Sequence, residues 1–133
     1  MINWSVEYPQ IEAICLKRNV DPFFIAAIRS AENGAPGREF GVLRRDDAQD
    51  YAGQLRVCTR TIAGYLAGFR GDAFDLLESI GLKRACYSPA FISYCAGRYA
   101  PIGASNDLTN LNQNWSANVS QAYFGFVTAG CVA

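Results

Sequence analysis

The chain has no histidine among its 133 residues. Without it there can be no Ser–His or Cys–His nucleophilic pair, and zinc loses its imidazole ligand. A zinc amidase and a Cys–His peptidase are therefore poor candidates for the function of this chain. Carboxylates, cysteine, tyrosine and lysine remain as the side chains that could carry out chemistry.

An excess of charge of one sign is also missing, because 12 basic residues balance 12 acidic ones. Nucleic-acid-binding proteins usually carry a basic excess, so we expect no nucleic-acid partner. No stretch approaches the ~18 apolar residues of a membrane-spanning helix, so we also expect no membrane span. Residues 1–8 lack the features of a signal peptide, which predicts synthesis in the cytoplasm and any export by another route.

The cysteines lack the close spacing that metal sites use. The five are Cys15, Cys58, Cys86, Cys95 and Cys131. No two of them form a CxxC pair, so we expect no metal site. Their odd number indicates free thiols in a reducing compartment, where a buried cysteine packs as a small hydrophobic side chain. A single disulfide involving Cys86 or Cys95 stays open as an alternative.

Half of the residues are hydrophobic, which predicts one domain, residues 1–133, with a real core. The apolar periodicity predicts an all-α fold, or α with a minimal β element, of about six helices around a buried central helix. The predicted helices are Pro9–Arg18, Pro22–Asn33, Ala48–Phe69, Ala73–Ile80, Pro89–Tyr99 and Trp115–Thr128. The central one is Pro22–Asn33, because it is the most uniformly apolar.

Capping residues support several of these boundaries. Asp21 and Ser88 each precede a proline, the usual order of N-cap and first helical residue. Gly34 is the expected left-handed residue after the central helix, and Asp46 or Asp47 the expected cap of the next helix. Residues 39–43 are the most ordered part of the loop that joins these two helices, and a small β element is expected there. Residues 102–113 are expected to form an ordered loop.

Glu32 is the strongest candidate for a catalytic residue. It lies near the end of the apolar central helix, where the chain enters a loop rich in glycine and proline. Partial burial raises the pKa of a carboxyl group, which can then hold a proton near neutral pH and act as a general acid. The alternative is an ordinary solvated glutamate in the last turn of a helix.

Segments in consecutive parts of the chain resemble the lytic transglycosylases of the soluble (SLT) type, in the lysozyme-like superfamily, and particularly their bacteriophage-encoded relatives. The family segments are Glu-Asn-Gly at 32–34, Arg-Glu-Phe-Gly-Val-Leu at 38–43 and Tyr-Cys-Ala-Gly at 94–97. The segments that resemble the C-terminal part of the bacteriophage-encoded relatives are Arg-Tyr-Ala-Pro at 98–101, Asn-Asp at 106–107 and Asn-Trp-Ser-Ala-Asn-Val at 114–119. The resemblance covers about Phe23 to Val119. Asn33 stands where the family has serine, Arg44 where its Gly-Leu-Met-Gln turn has glutamine, and Cys95 where it has asparagine.

The resemblance implies a lysozyme-like fold and cleavage of the MurNAc–GlcNAc β-1,4 bond of peptidoglycan, with Glu32 as the single acid and base. This carboxyl first protonates the glycosidic oxygen and then takes the proton of the sugar's own 6-hydroxyl, leaving a 1,6-anhydro end. No cofactor is implied. The expected partner is a glycan strand of peptidoglycan, and the protein is expected to act as a monomer. It would reach the cell wall after release from the cell or delivery by another route, in association with a bacteriophage.

Further side chains are candidates for substrate binding: Tyr94, Gln54, Glu39, Tyr99 and Arg38. Tyr94 is equally well explained as a core tyrosine, and the other four have structural or solvated roles as alternatives. A second carboxylate from Glu39, Asp46 or Asp47 would instead support an inverting muramidase or chitinase-type hydrolase. A non-catalytic glycan- or protein-binding module of the same fold is the remaining alternative.

Overall fold

The computed structural model describes residues 2–43, 46–76, 84–99 and 114–132. Over these residues the chain is mostly helical with one two-stranded sheet, so the expected all-α class with a minimal β element is confirmed. The helices are α1 (Trp4–Arg18), α2 (Pro22–Glu32), α3 (Tyr51–Gly68), α4 (Pro89–Tyr99) and α5 (Trp115–Val132), and the strands are β1 (Phe74–Leu76) and β2 (Ala85–Tyr87). Residue contacts form two compact units, 1–64 and 65–133. The single-domain assignment stays a prediction.

The buried helix of the first unit is α2, which begins where the sequence predicts. The Asp21 carboxylate accepts a hydrogen bond of 3.0 Å from the Phe23 backbone N–H, and Pro22 is the first helical residue. The run from Phe24 to Arg29 is buried. The left-handed residue after the helix is Asn33, with φ of 43°, so the expectation of Gly34 at that position is wrong. Asparagine tolerates this conformation because its short polar side chain can bond locally.

Helix α1 begins at Trp4, well before the predicted start at Pro9. The Asn3 carbonyl accepts the Val6 and Glu7 N–H groups, and the Asn3 N–H donates to the Glu7 carboxylate at 2.7 Å. This reciprocal bonding satisfies the helix start, and Pro9 is tolerated within the helix. The predicted start at Pro9 is wrong, because the hydrogen bonds that begin the helix are made by Asn3.

Helix α3 begins at Tyr51 rather than Ala48, because its cap is not the predicted Asp46 or Asp47. The Asp50 carboxylate accepts a 2.8 Å hydrogen bond from the Gly53 N–H. Residues Asp46–Ala48 form a separate 3-10 turn. One face of α3 is buried at Leu55, Cys58 and Ile62.

In the second unit, the predicted helix Ala73–Ile80 is wrong over residues 74–76, which form β1. This strand pairs antiparallel with β2, with Phe74 opposite Tyr87 and Leu76 opposite Ala85. The minimal β element therefore lies here and not at residues 39–43. The pairing partner lies in another part of the sequence, so local periodicity could not reveal the strand.

Helices α4 and α5 complete the second unit. The Ser88 hydroxyl accepts a 3.1 Å hydrogen bond from the Phe91 N–H, which confirms the predicted cap of α4. Helix α5 extends beyond the predicted Thr128 to Val132, and the Tyr123 hydroxyl accepts a 3.0 Å hydrogen bond from the Tyr87 N–H. Rings of Tyr87, Phe91 and Tyr123 form the core here.

The described ranges contain buried cysteines and all the helices named above. Four cysteines there, Cys15, Cys58, Cys86 and Cys95, are buried thiols. No helix in those ranges combines the length and apolar character needed to cross a membrane. Residues 44–45, 77–83 and 100–113, which include Arg44 and the predicted loop 102–113, lie outside the described residues.

Candidate active site

Glu32 is the last residue of α2 and follows the most deeply buried part of that helix. Ile25, Ala26, Ala27 and Ile28 are fully buried, and the Glu32 side chain is half-buried where the helix ends. Burial raises the pKa of the Glu32 carboxyl from 4.5 to about 7. No other described residue forms a hydrogen bond or an ion pair with this side chain that would hold its charge. The raised pKa is what a general acid at neutral pH needs.

The backbone of Gly41 lies directly against the Glu32 carboxyl. A Cβ atom at position 41 would overlap Oε2 of Glu32 and lie 3.1 Å from Oε1. Gly41 also has φ of 74°, a conformation that L side chains rarely adopt. Glycine is therefore required at this position both by its conformation and by the close approach to the carboxyl.

Arg38 and Glu39 are directed onto the loop that carries Gly41. The Arg38 side chain donates to the Gly37 carbonyl at 2.7 Å, and the Glu39 carboxylate accepts from the Gly37 N–H at 3.0 Å. The Arg38 carbonyl in turn accepts the Gly41 N–H at 3.0 Å. Both side chains thus stabilise the loop, and their predicted substrate contacts stay predictions.

Gln54 is fully buried on α3, and its amide is bonded entirely to the same loop. Its Oε1 accepts from the backbone N–H groups of Phe40 and Val42 at 3.1 and 3.2 Å. Its Nε2 donates to the carbonyls of Val42 and Ala48, each at 2.8 Å. A glutamine amide has two donors and two acceptor lone pairs, so none is left for a substrate. The predicted substrate-binding role of Gln54 is corrected accordingly.

Two of the three other candidate carboxylates of the first unit have structural contacts. Asp47 forms an ion pair of 3.3 Å with Arg60, and its backbone carbonyl accepts from Arg56. Asp46 is exposed in the 3-10 turn, while Glu39 is buried against the loop backbone. These contacts match structural roles better than the role of a second catalytic carboxylate.

Tyr94 and Tyr99 belong to the second unit and pack against other aromatic rings there. The Tyr94 ring lies edge-on to Phe69 at 5.1 Å, and the Arg98 guanidinium lies 3.5 Å from the Tyr94 ring centroid. The Tyr99 ring lies 5.4 Å from that of Trp115. These contacts fit the alternative of structural tyrosines, and a role in substrate binding stays a prediction for both.

A buried charged cluster one turn before Glu32 was not foreseen from the sequence. Arg29 Nε lies 2.7 Å from Glu7 Oε1, and both side chains are about one-tenth exposed. Burial alone would raise the pKa of Glu7, but hydrogen bonds from Arg29 and the Asn3 N–H hold it below 4.5. Arginine within the otherwise apolar α2 was the available signal, since buried charges are almost always paired.

Comparisons of this chain with protein-family models, curated proteins and solved structures give no match.

Proposed function

We propose that this chain is a peptidoglycan-cleaving glycosidase that acts on the MurNAc–GlcNAc β-1,4 bond as a lytic transglycosylase. Glu32 is its single acid and base. The observation that carries the proposal is the half-buried carboxyl at the end of α2, covered by the Gly41 backbone, with a pKa raised to about 7. The glycan specificity comes from the sequence resemblance.

One carboxyl group with such a pKa supports both proton transfers of the reaction. Near neutral pH it divides roughly equally between its protonated and ionised forms. The protonated form donates to the glycosidic oxygen as the bond to the anomeric carbon breaks. The carboxylate then takes the proton of the 6-hydroxyl as that oxygen bonds to the anomeric carbon. The 1,6-anhydro product forms without water.

The contacts of the neighbouring carboxylates favour this route over inverting hydrolysis, which needs a second carboxylate to activate water. Glu39 accepts from the Gly37 N–H and Asp47 pairs with Arg60. Both carboxylates are thus engaged with the protein, whereas Asp46 is exposed in the 3-10 turn. Inverting hydrolysis of murein or chitin is therefore kept as an outcome of the experiment.

The test is digestion of purified peptidoglycan by the wild type, Glu32→Gln and Glu12→Gln. Glu12 is an exposed glutamate of α1 and serves as the matched control. We expect the wild type and the control to release soluble muropeptides and Glu32→Gln to release none. Mass spectrometry of the products should find anhydro ends, which are one water lighter than hydrolysed ends.

Each other outcome has a definite meaning. Full release by Glu32→Gln would refute the proposal. Products with hydrolysed ends would show that the enzyme is a hydrolase and not a transglycosylase. Binding to the wall without release by any of the three proteins would identify a non-catalytic glycan-binding module.

We also propose that the protein acts as a monomer on glycan strands of the wall, which it reaches after release or delivery from the cytoplasm. No nucleic acid takes part. The balance of 12 basic and 12 acidic residues supports the last point.

A further inference from the structure

Gln54 joins two parts of the loop that covers Glu32. It binds the segment around Gly41 through the N–H groups of Phe40 and Val42 and the carbonyl of Val42. It binds the end of the 3-10 turn through the carbonyl of Ala48. Gly41 lies between Phe40 and Val42, so the two residues adjoining it in the chain are both fixed to α3 by one side chain.

The Gly41 backbone covers part of the Glu32 carboxyl. Its backbone is in van der Waals contact with that carboxyl, and no Cβ would fit between them. Helix α2 places the carboxyl from one side, while the loop covers it from another. A loop released from Gln54 would have unsatisfied backbone groups, which would turn toward water.

We propose that Gln54 is a positioning residue, which holds the Gly41 backbone against the Glu32 carboxyl and so keeps water away from the proton that this group transfers. The catalytic consequence rests on the function proposed above. The effect of Gln54 on the position of Gly41 and on the pKa of Glu32 is independent of that function, because it concerns the protein without substrate.

The described charged groups of α2 and of residues 37–43, other than Glu32 itself, are engaged with other partners. On α2, Arg29 pairs with Glu7 of α1. In the loop, Arg38 donates to the Gly37 carbonyl and Glu39 accepts from the Gly37 N–H. Loss of loop contact would thus act on Glu32 mainly through its hydration, because burial is what raises its pKa.

The experiment measures the pKa of Glu32 by NMR in protein with ¹³C-labelled side chains, with Glu32→Gln used to assign the signal. The variants are Gln54→Met, which keeps the side-chain length and loses all four hydrogen bonds, and Gln54→Asn, a milder change that keeps an amide. The control is Thr59→Val, also on buried α3, because the Thr59 hydroxyl donates to the Leu55 carbonyl within the helix and not to the loop.

We expect the pKa of Glu32 to fall from about 7 toward 4.5 in Gln54→Met, by roughly 1 or more, and by less in Gln54→Asn. The control should keep the wild-type value, although it loses stability. The pH profile of cleavage should move to lower pH with the pKa.

A folded Gln54→Met protein with an unchanged Glu32 pKa would overturn the inference, and so would an equal fall in Thr59→Val. If Gln54→Met does not fold, an unchanged pKa in Gln54→Asn overturns it. The readout is independent of substrate. Cleavage by Glu32→Gln would therefore refute the function alone, whereas an unchanged pKa would refute the positioning role alone.

Discussion

Burial of the Glu32 carboxyl makes the stability of this protein depend on pH in a way that one substitution should remove. The pKa of this group is 4.5 when it is solvated and about 7 in the folded chain. The difference corresponds to roughly 3 kcal/mol of folding free energy, since each pKa unit is about 1.4 kcal/mol. The side chain is half-buried, so solvent screening can only lower this value.

The sign follows from which state holds the proton. Below the unfolded pKa of 4.5 the carboxyl is protonated in both states and folding carries no penalty. As the pH rises from 4.5 to about 7, the unfolded chain releases the proton and the folded chain retains it, so the stability decreases. Above about 7 both states are ionised and the whole penalty of roughly 3 kcal/mol applies.

Glu32→Gln is neutral at every pH and should not show this loss. We expect the free energy of unfolding of the variant, relative to the wild type, to increase by roughly 3 kcal/mol between about pH 4 and about pH 8. Urea denaturation of both proteins across this range measures the difference. Other groups, including Glu7 with its lowered pKa, are common to both proteins and cancel.

The control is Glu12→Gln, which removes one exposed carboxyl group of α1. A relative stability of Glu32→Gln that is constant from about pH 4 to about pH 8 would refute the reasoning. It would mean that the carboxyl is as hydrated in the folded chain as in the unfolded chain.

Two further predictions concern the contacts around Glu32. Glu7→Gln should destabilise the fold by about 3 kcal/mol in urea denaturation, because it leaves the buried Arg29 charge without its partner. The double variant Glu7→Gln/Arg29→Met should be destabilised less than Glu7→Gln alone, because it removes that charge as well. A greater loss of stability in the double variant would contradict this account. Gly41→Ala should lower thermal stability and muropeptide release, because a Cβ there overlaps the Glu32 carboxyl and the φ of 74° is unfavourable for alanine. Thermal stability and muropeptide release equal to those of the wild type would contradict this prediction.

Helix boundaries were predictable where the deciding residues are neighbours in the chain. Asp21 before Pro22 and Ser88 before Pro89 start α2 and α4 as expected, because each cap bonds to an N–H two or three residues ahead. The boundary was wrong where several residues compete for one role. Asp50, not Asp46 or Asp47, caps α3.

The site was predictable only in its central residue. The position of Glu32 at the end of an apolar helix indicated a partly buried carboxyl with a raised pKa, and the structure gives that result. Its surroundings were not predicted. Gln54 was taken for a substrate ligand and instead binds the loop, while the Glu7–Arg29 pair was not foreseen at all.

The sequence by itself determined the helical class, the apolar character of α2 and the place of Glu32 at its end, because these depend on periodicity and on bonds within one turn. The tertiary structure alone decided that Gly41 covers the carboxyl, that Gln54 reaches Val42 across 12 positions and that Glu7 reaches Arg29 across 22. The physical reason is that burial and pairing depend on groups brought together by folding, and a local pattern records only one of the two partners.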